Sequence, residues 1–381
     1  MKIIYYSHTF FTDCDFPLIR ELQKQGHDVR YYVHISPVFL KSSLLDLGEV
    51  YPHTGIFPAS VYDGFKIYEK EIDLSKAYVV NWKHKQKWHP ANLFLMLRFV
   101  ISLIMQKADV IHLTHEPTMI MKLLYIIKGK LVLTVHDPFL HSSSFTKKKE
   151  KDRKLAFKLI KKLAILNNSQ INDFINHYHI PPTHVFDTKL GCYDSICRVD
   201  SFSSSIQSPY ILFFGGINKY KGLELLLEAM EVVHQKIPNL KLVVAGGGKL
   251  WFDISPYQHL DYIDLRLHYV GVPELSGLLK DCEFVVCPYR DATQSGVIQT
   301  ALSMCAPVIA TRVGALPEVV INGKYGRIIN PNDVGSLAEN IISLSLSTQE
   351  LLQYRNNIKE EWIPSMSWGA IADKYLKCYK S

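Results

Sequence analysis

The seven cysteines of this 381-residue chain form no CxxC pair, and their odd number speaks against a disulfide framework and for a reducing cytoplasm. No apolar run is long enough to cross a bilayer; the longest, thirteen residues from Leu93 to Met105, is broken by Arg98. HExxH is absent too. HLTHE sets His112 and His115 three apart, which on a strand points them to opposite faces, so no metal site is expected. The start MKIIYYSHTFF lacks the apolar stretch and cleavage site of a secretory leader and reads as a first buried strand. No short-period repeat occurs, and low complexity is confined to one Ser-rich stretch and one lysine run. The last absence is the most specific: from Ala292 to Ala306 no side chain carries a charge.

What is present bounds the class. The length favours two domains over one core, and 48% hydrophobic with 21% charged residues excludes a disordered chain. Lys147 to Lys162 holds eight lysines and one arginine against one glutamate and one aspartate, an excess of seven that equals the net charge of +7. The rest balances, and no nucleic-acid partner is expected.

Short apolar runs alternate with amphipathic stretches. KIIYYS, VRYYVH, ADVIHLTH and GKLVLTVHD are continuous in hydrophobicity, as strands buried on both faces of a parallel sheet are. Near Val199 the texture changes to VDSFSSSIQSP, which reads as a linker. Alternation then restarts with strands YILFFGG, LKLVVAGGG, LHYVG, EFVVCPY and APVIATRV and helices between them. The expectation is an α/β chain of two Rossmann-like domains facing a central cleft, with ligands beyond the carboxyl ends of the strands.

The loops at those ends carry the chemistry. In FFGGINKYKGLELLLEA, Gly215 and Gly216 let a ligand approach the backbone, while Lys219 and Lys221 bring charge to a helix start; a tight turn with solvated lysines reads the same way. In TQSGVIQTALSM, Thr293 and Ser295 are hydroxyls at an N-cap, and Gly296 admits close approach; a plain capped helix is the alternative. Amides, hydroxyls and the helix dipole there can hold a phosphate without a charged side chain, Arg290 and Lys221 supplying the full charges. In LTVHDPFLH, His136 follows a strand directly, with Asp137 and His141 nearby, in reach of a ligand or in a structural role.

In this order the stretches resemble the retaining, GT-B-type glycosyltransferases of family 4. FFGGINKYKGLELLLEA is similar to the family's strand–GRxxxxKG–helix element, and APVIATRVGALPEVVINGKYGRIINPNDVGSLAENI to the closing segment of its nucleotide domain. SMSWGAIADKYLKCYK resembles the last helix, which in that fold crosses back onto the first domain. The resemblance implies domains at 1–200 and 208–362 and a crossing-back helix at 363–381. It implies retaining, hexosyl-type transfer from a nucleotide-diphosphate sugar to a saccharide or lipid-linked saccharide, in surface polysaccharide or glycoconjugate assembly, with no other cofactor and no metal. His136, Lys221 and Arg290 become the expected catalytic residues, His136 bonding the donor sugar. Gly215, Gly216, Lys219, Thr293, Gln294, Ser295, Gly296, Val297 and Thr300 become the expected donor-binding set.

Two departures accompany it. The family has two glutamates eight residues apart where this chain has Ala292 and Thr300, and Gly216 stands where its arginine belongs. Thr300 is expected to keep a single ribose hydrogen bond. A nucleotide-sugar-binding subunit without catalysis, or an epimerase of the same fold, is the alternative. In the first domain, NWKHKQKWHPANLFLMLRFVISLIM reads as a core or an interfacial helix, and Lys147–Lys162 as a basic amphipathic helix with Leu155, Ile160 and Leu163 on one side. A cytoplasmic enzyme placed on the inner face of the cell membrane through Lys147–Lys162 is the resulting expectation.

Overall fold

The structure is a computed structural model and describes residues 1–38, 40–42, 45–49, 51–140, 146–166, 170–207, 209–292 and 295–381. It divides into two compact units: Met1–Gly191 with Ser367–Ser381, and Cys192–Met366.

The first unit is built on an eight-stranded sheet. Its strands are β1 (Lys2–His8), β2 (Asp28–Ile35), β3 (Gly55–Pro58), β4 (Ala77–Asn81), β5 (Val110–Leu113), β6 (Leu131–Val135), β7 (Leu163–Ile165) and β8 (Val185–Asp187). The order is β3-β4-β2-β1-β5-β6-β7-β8, parallel throughout except for the antiparallel edge pair β3–β4. Ile3 to Ser7, Val110 to Leu113 and Leu131 to Val135 are buried without alternation, which is why they read as unbroken apolar runs. The helix Thr12–Lys24 stops at Gly26, whose φ of +79° turns the chain into β2.

The helix Trp368–Lys380 belongs to this unit. Tyr379 Oη lies 2.7 Å from His112 Nδ1, Tyr375 Oη 3.1 Å from Thr134 Oγ1, and Lys162 Nζ donates to the Tyr379 carbonyl at 2.9 Å. His112 also meets Thr134 Oγ1 at 2.7 Å through Nε2, so both its ring nitrogens are engaged within the fold.

The second unit has six strands, β9 (Tyr210–Phe214), β10 (Lys241–Ala245), β11 (Ile263–Arg266), β12 (Val285–Cys287), β13 (Val308–Thr311) and β14 (Gly326–Ile329). The order is β11-β10-β9-β12-β13-β14, all parallel. The third strand is IDLR, not LHYVG. It is an edge strand whose Asp264 and Arg266 pair at 2.8 Å, and the half-exposed polar alternation hid it from a search for apolar runs.

The chain enters the second unit at Cys192, ahead of the Ser-rich stretch. The Tyr193 N–H donates to Ser303 Oγ at 2.7 Å, Ser276 Oγ to the Ile196 carbonyl at 3.2 Å, and the Phe202 N–H to the Pro273 carbonyl at 3.1 Å. A Cβ on Gly277 would lie 1.8 Å from the Phe202 carbonyl oxygen, so this segment is packed on the helix Val272–Asp281 rather than strung as a free linker.

Candidate functional site

In the second unit the strand order reverses between β9 and β12, and ligands of open α/β sheets bind beyond the carboxyl ends at such a switch point. The loop after β9 runs through Gly215 and Gly216 to the turn Lys219–Lys221 and the helix Leu223–Lys236. The loop after β12 leads to the helix Gly296–Ser303. Gly222 joins the two: a Cβ there would sit 2.3 Å from the Pro288 carbonyl oxygen.

Lys221 is the centre of this arrangement. A Cβ on Gly215, whose φ is +89°, would meet Lys221 Nζ and Val297 Cγ2 at 3.1 Å each, so the ammonium, the glycine backbone and the start of the second helix converge. The Nζ also lies 5.7 Å from the centre of the Tyr289 ring. Lys221 is 6% exposed and has no acidic partner among the described residues, and burial lowers its pKa. A buried ammonium without a counter-ion is a costly group in isolation and an attractive one to an anion.

The other expected residues fall into three groups. Ser295 caps the helix Gly296–Ser303 through its Oγ, which accepts from the Ile298 N–H at 3.3 Å, while Gly296 is exposed and Val297 half-buried beside Lys221. Gly216 and Lys219 are exposed on the first loop. Thr293 and Gln294 lie outside the described residues, as does His141.

Arg290 and Thr300 are differently employed from what their sequence positions imply. The Arg290 guanidinium pairs with Glu224, donates through Nε to Asn332 Oδ1 at 3.0 Å and through Nη1 to the Lys219 carbonyl at 3.2 Å. Glu224 accepts from Trp251 Nε1 at 3.0 Å as well. Arg290 therefore ties the two loops together with its charge offset. Thr300 is 3% exposed, and its hydroxyl donates to the Gly296 carbonyl at 2.8 Å within its own helix. That proton is not free for a ribose contact.

In the first unit His136 follows β6, with the Phe11 ring stacked on it at 3.8 Å and 15°. Burial pushes its pKa down to about 3, leaving a neutral ring at pH 7 whose Nε2 has no partner among the described residues. Arg153, 4% exposed, donates to the Asp137 carbonyl and pairs with Glu116 at 2.9 Å, bracing the loops after β5 and β6.

Beside these loops lies a cavity of about 380 Å³ whose walls include His8, His34, Trp82, His115, Lys87 and Glu116. The rings crowd together: His8 stands 4.0 Å from His115 and 4.9 Å from His34, and His34 stands 4.4 Å from Trp82. Burial holds His8 down at about 4, and burial with neighbouring imidazoles holds His34 and His115 well below the ordinary value. His34 Nε2, His115 Nδ1 and Trp82 Nε1 have no partner among the described residues. The cluster was not foreseen. His8 and His34 are cross-strand partners in the β1–β2 register, which no local motif announces; of the three, HLTHE contains only His115.

Residues 208–346 match the family described as glycosyl transferases group 1. An uncharacterized glycosyltransferase of Methanocaldococcus jannaschii is 31% identical over 44% of this chain and 47% of its own length. A D-inositol 3-phosphate glycosyltransferase of Corynebacterium efficiens is 21% identical over 57% of this chain and 55% of its own. The chain thus spans about half the length of the curated relatives it matches. Among solved structures, Anabaena HepE in complex with UDP-glucose superposes with a TM-score of 0.66 at 14% identity, over 100% of this chain and 99% of that one. The fold is that of the GT-B glycosyltransferases.

Proposed function

We propose that the protein is a retaining, family 4-type glycosyltransferase that moves a hexosyl group from a nucleotide-diphosphate sugar to a saccharide or lipid-linked saccharide, in surface polysaccharide or glycoconjugate assembly. The observation that carries this is Lys221, a buried ammonium with no acidic partner among the described residues, set against Gly215 and the helix start at Val297. The match of residues 208–346 to group 1 glycosyl transferases supports the reading, as does the UDP-glucose bound by HepE.

On this reading the diphosphate lies along the loop after β9, with Lys221 and the N–H groups at Ser295–Val297 meeting its charge. Those donors stabilise the leaving phosphate as negative charge develops, and they are already oriented before the reaction begins. As the anomeric carbon–phosphate bond breaks, the acceptor oxygen bonds the same face of the sugar. Its proton passes to the departing phosphate oxygen. The chemistry asks nothing further of the protein than electrostatic positioning, so no additional cofactor is proposed. His136, neutral, is the proposed hydrogen-bonding partner of the transferred sugar. The cavity of the first unit, with its ring walls and unpartnered ring nitrogens, is the proposed acceptor pocket, since aromatic surfaces and neutral donors suit a hydroxyl-bearing molecule.

A thermal-shift series tests it. UDP and a panel of nucleotide-diphosphate sugars should raise the melting temperature of the wild type, and the same ligands at the same concentrations should raise that of Lys221→Ala far less. Equal stabilisation of both proteins would remove the assignment. Release of the nucleoside diphosphate on addition of a membrane lipid extract separates a transferase from a subunit that only binds the donor.

A further inference from the structure

The helix Pro90–Met105 carries apolar residues on every side, yet only one side of it is covered. Met96, Phe99, Val100 and Leu103 enter the core of the first unit. On the opposite side Phe94, Leu97, Ile101 and Met105 stand 62%, 39%, 46% and 73% exposed, at the spacing of one continuous helical stripe. A surface helix normally turns polar residues outward. Here the outer side offers only Arg98 and Ser102 between the apolar residues, and the Arg98 guanidinium lies over the Phe94 ring at 5.7 Å. The helical segment Met119–Lys130, packed against this helix, adds exposed Leu123 and Ile126.

The border of the stripe indicates what covers it. Trp88, 66% exposed, precedes the helix, and the Lys148 ammonium lies 5.8 Å from its ring. Lys83, Lys85 and Lys87 are exposed on the preceding loop, as are Lys147, Lys148 and Lys149 at the start of the helix Lys147–Leu159. Lysine is depleted from protein–protein interfaces, whereas tryptophan and lysine around an apolar stripe are what a phospholipid headgroup region accommodates. Among the described residues no helix is long and apolar enough to cross a membrane, so the contact is one of partial insertion.

We infer that the first unit seats on an anionic lipid bilayer by inserting Phe94, Leu97, Ile101 and Met105, with Trp88 at headgroup depth and the lysines of 83–87 and 147–149 on the lipid phosphates. This differs from a purely electrostatic contact through Lys147–Lys162. The basic helix ends at Leu159; Ile160 closes it, and Leu163 is in β7, so the amphipathic side assigned to those residues does not exist as one helical side. Its buried residues Arg153, Ala156 and Phe157 face inward, and Lys162 is tied to the Tyr379 carbonyl.

Co-sedimentation of the full chain with vesicles tests the inference. The wild type should bind vesicles containing phosphatidylglycerol and not pure phosphatidylcholine, with a residue of binding that survives high salt. Phe94→Ser with Ile101→Ser should reduce the bound fraction at least tenfold at low salt. Leu97→Gln with Met105→Gln should do the same, guarding against a local fault in either pair. Melting temperature and UDP response should not change, because these side chains lie outside the donor site. Wild-type failure to bind anionic vesicles, undiminished binding by both double variants, or a dimer in sedimentation velocity that the variants dissolve would each overturn it. The last would mean that a second copy covers the stripe.

Discussion

The two units share a parallel sheet and a helix-bearing switch point but handle buried polarity in opposite ways. In the second, the group at the strand ends is a lysine with no acidic partner among the described residues, beside the amides of a helix start. In the first, five histidines are held as neutral rings, His34 and His112 buried and His8, His115 and His136 half-buried with their pKa values pushed down. The three histidines of the second unit, His234, His259 and His268, are half-buried or exposed. On the proposed reading the second unit's surface meets an anion, and the first unit's presents neutral rings alongside the charged Lys87 and Glu116. A shared fold leaves the loops free to make that difference.

Acid should widen the contrast most. On unfolding, the five histidines regain ordinary pKa values near 6.5 and take up protons, whereas Asp13 and Asp15, pushed up to about 7 and about 8 by burial, release theirs. Below about pH 6.5 the unfolded state binds the more protons, five histidines outweighing two aspartates, so stability of the first unit falls as pH falls. Above about pH 7 the two aspartates reverse the slope, which sets an optimum near neutrality. Hydrogen exchange at pH 5 should show peptides of residues 1–191 losing protection before those of 192–366. Simultaneous loss would break the comparison.

Next in size is Lys221→Ala, which should lower turnover about 10²–10³-fold and weaken nucleoside diphosphate binding. His136→Ala should reduce turnover with UDP affinity intact, and calorimetric titration of both variants distinguishes the two roles. Smaller still is Arg290→Ala. With its charge offset by Glu224, the loss should appear as about 1–3 kcal/mol of unfolding stability in urea, and only secondarily in UDP affinity. Smallest is Thr300→Val, which should leave UDP affinity within about 0.5 kcal/mol, since the hydroxyl serves its own helix. A larger drop would return Thr300 to the nucleotide.

The sequence disclosed what is local. Unbroken apolar runs gave away the parallel sheets, and the strand–loop–helix stretch around Gly215 and Lys221 named residues that the structure brings together with Val297. What it concealed depends on distant partners. Arg290 could be placed near the loops, but Glu224, which occupies it, comes from a different element. Thr300 stands where the resemblance sets a ribose contact, yet a hydroxyl turned back on its own helix has no signature beyond Gly296 four residues earlier. The histidine cluster needs the β1–β2 register, and the covered and open sides of Pro90–Met105 need the neighbouring elements.

The helix Trp368–Lys380 carries one more consequence, in the order of events during synthesis. Residues 192–366 form a unit continuous in the chain, able to close as soon as they leave the ribosome. The earlier residues lack one packed helix until the end of synthesis, because His112 and Thr134 meet Tyr379 and Tyr375 only after everything between has been made. The polypeptide translated first is thus the part finished last, and its sheet must wait with an uncovered flank. Chaperone dependence and aggregation on premature termination should concentrate in residues 1–191.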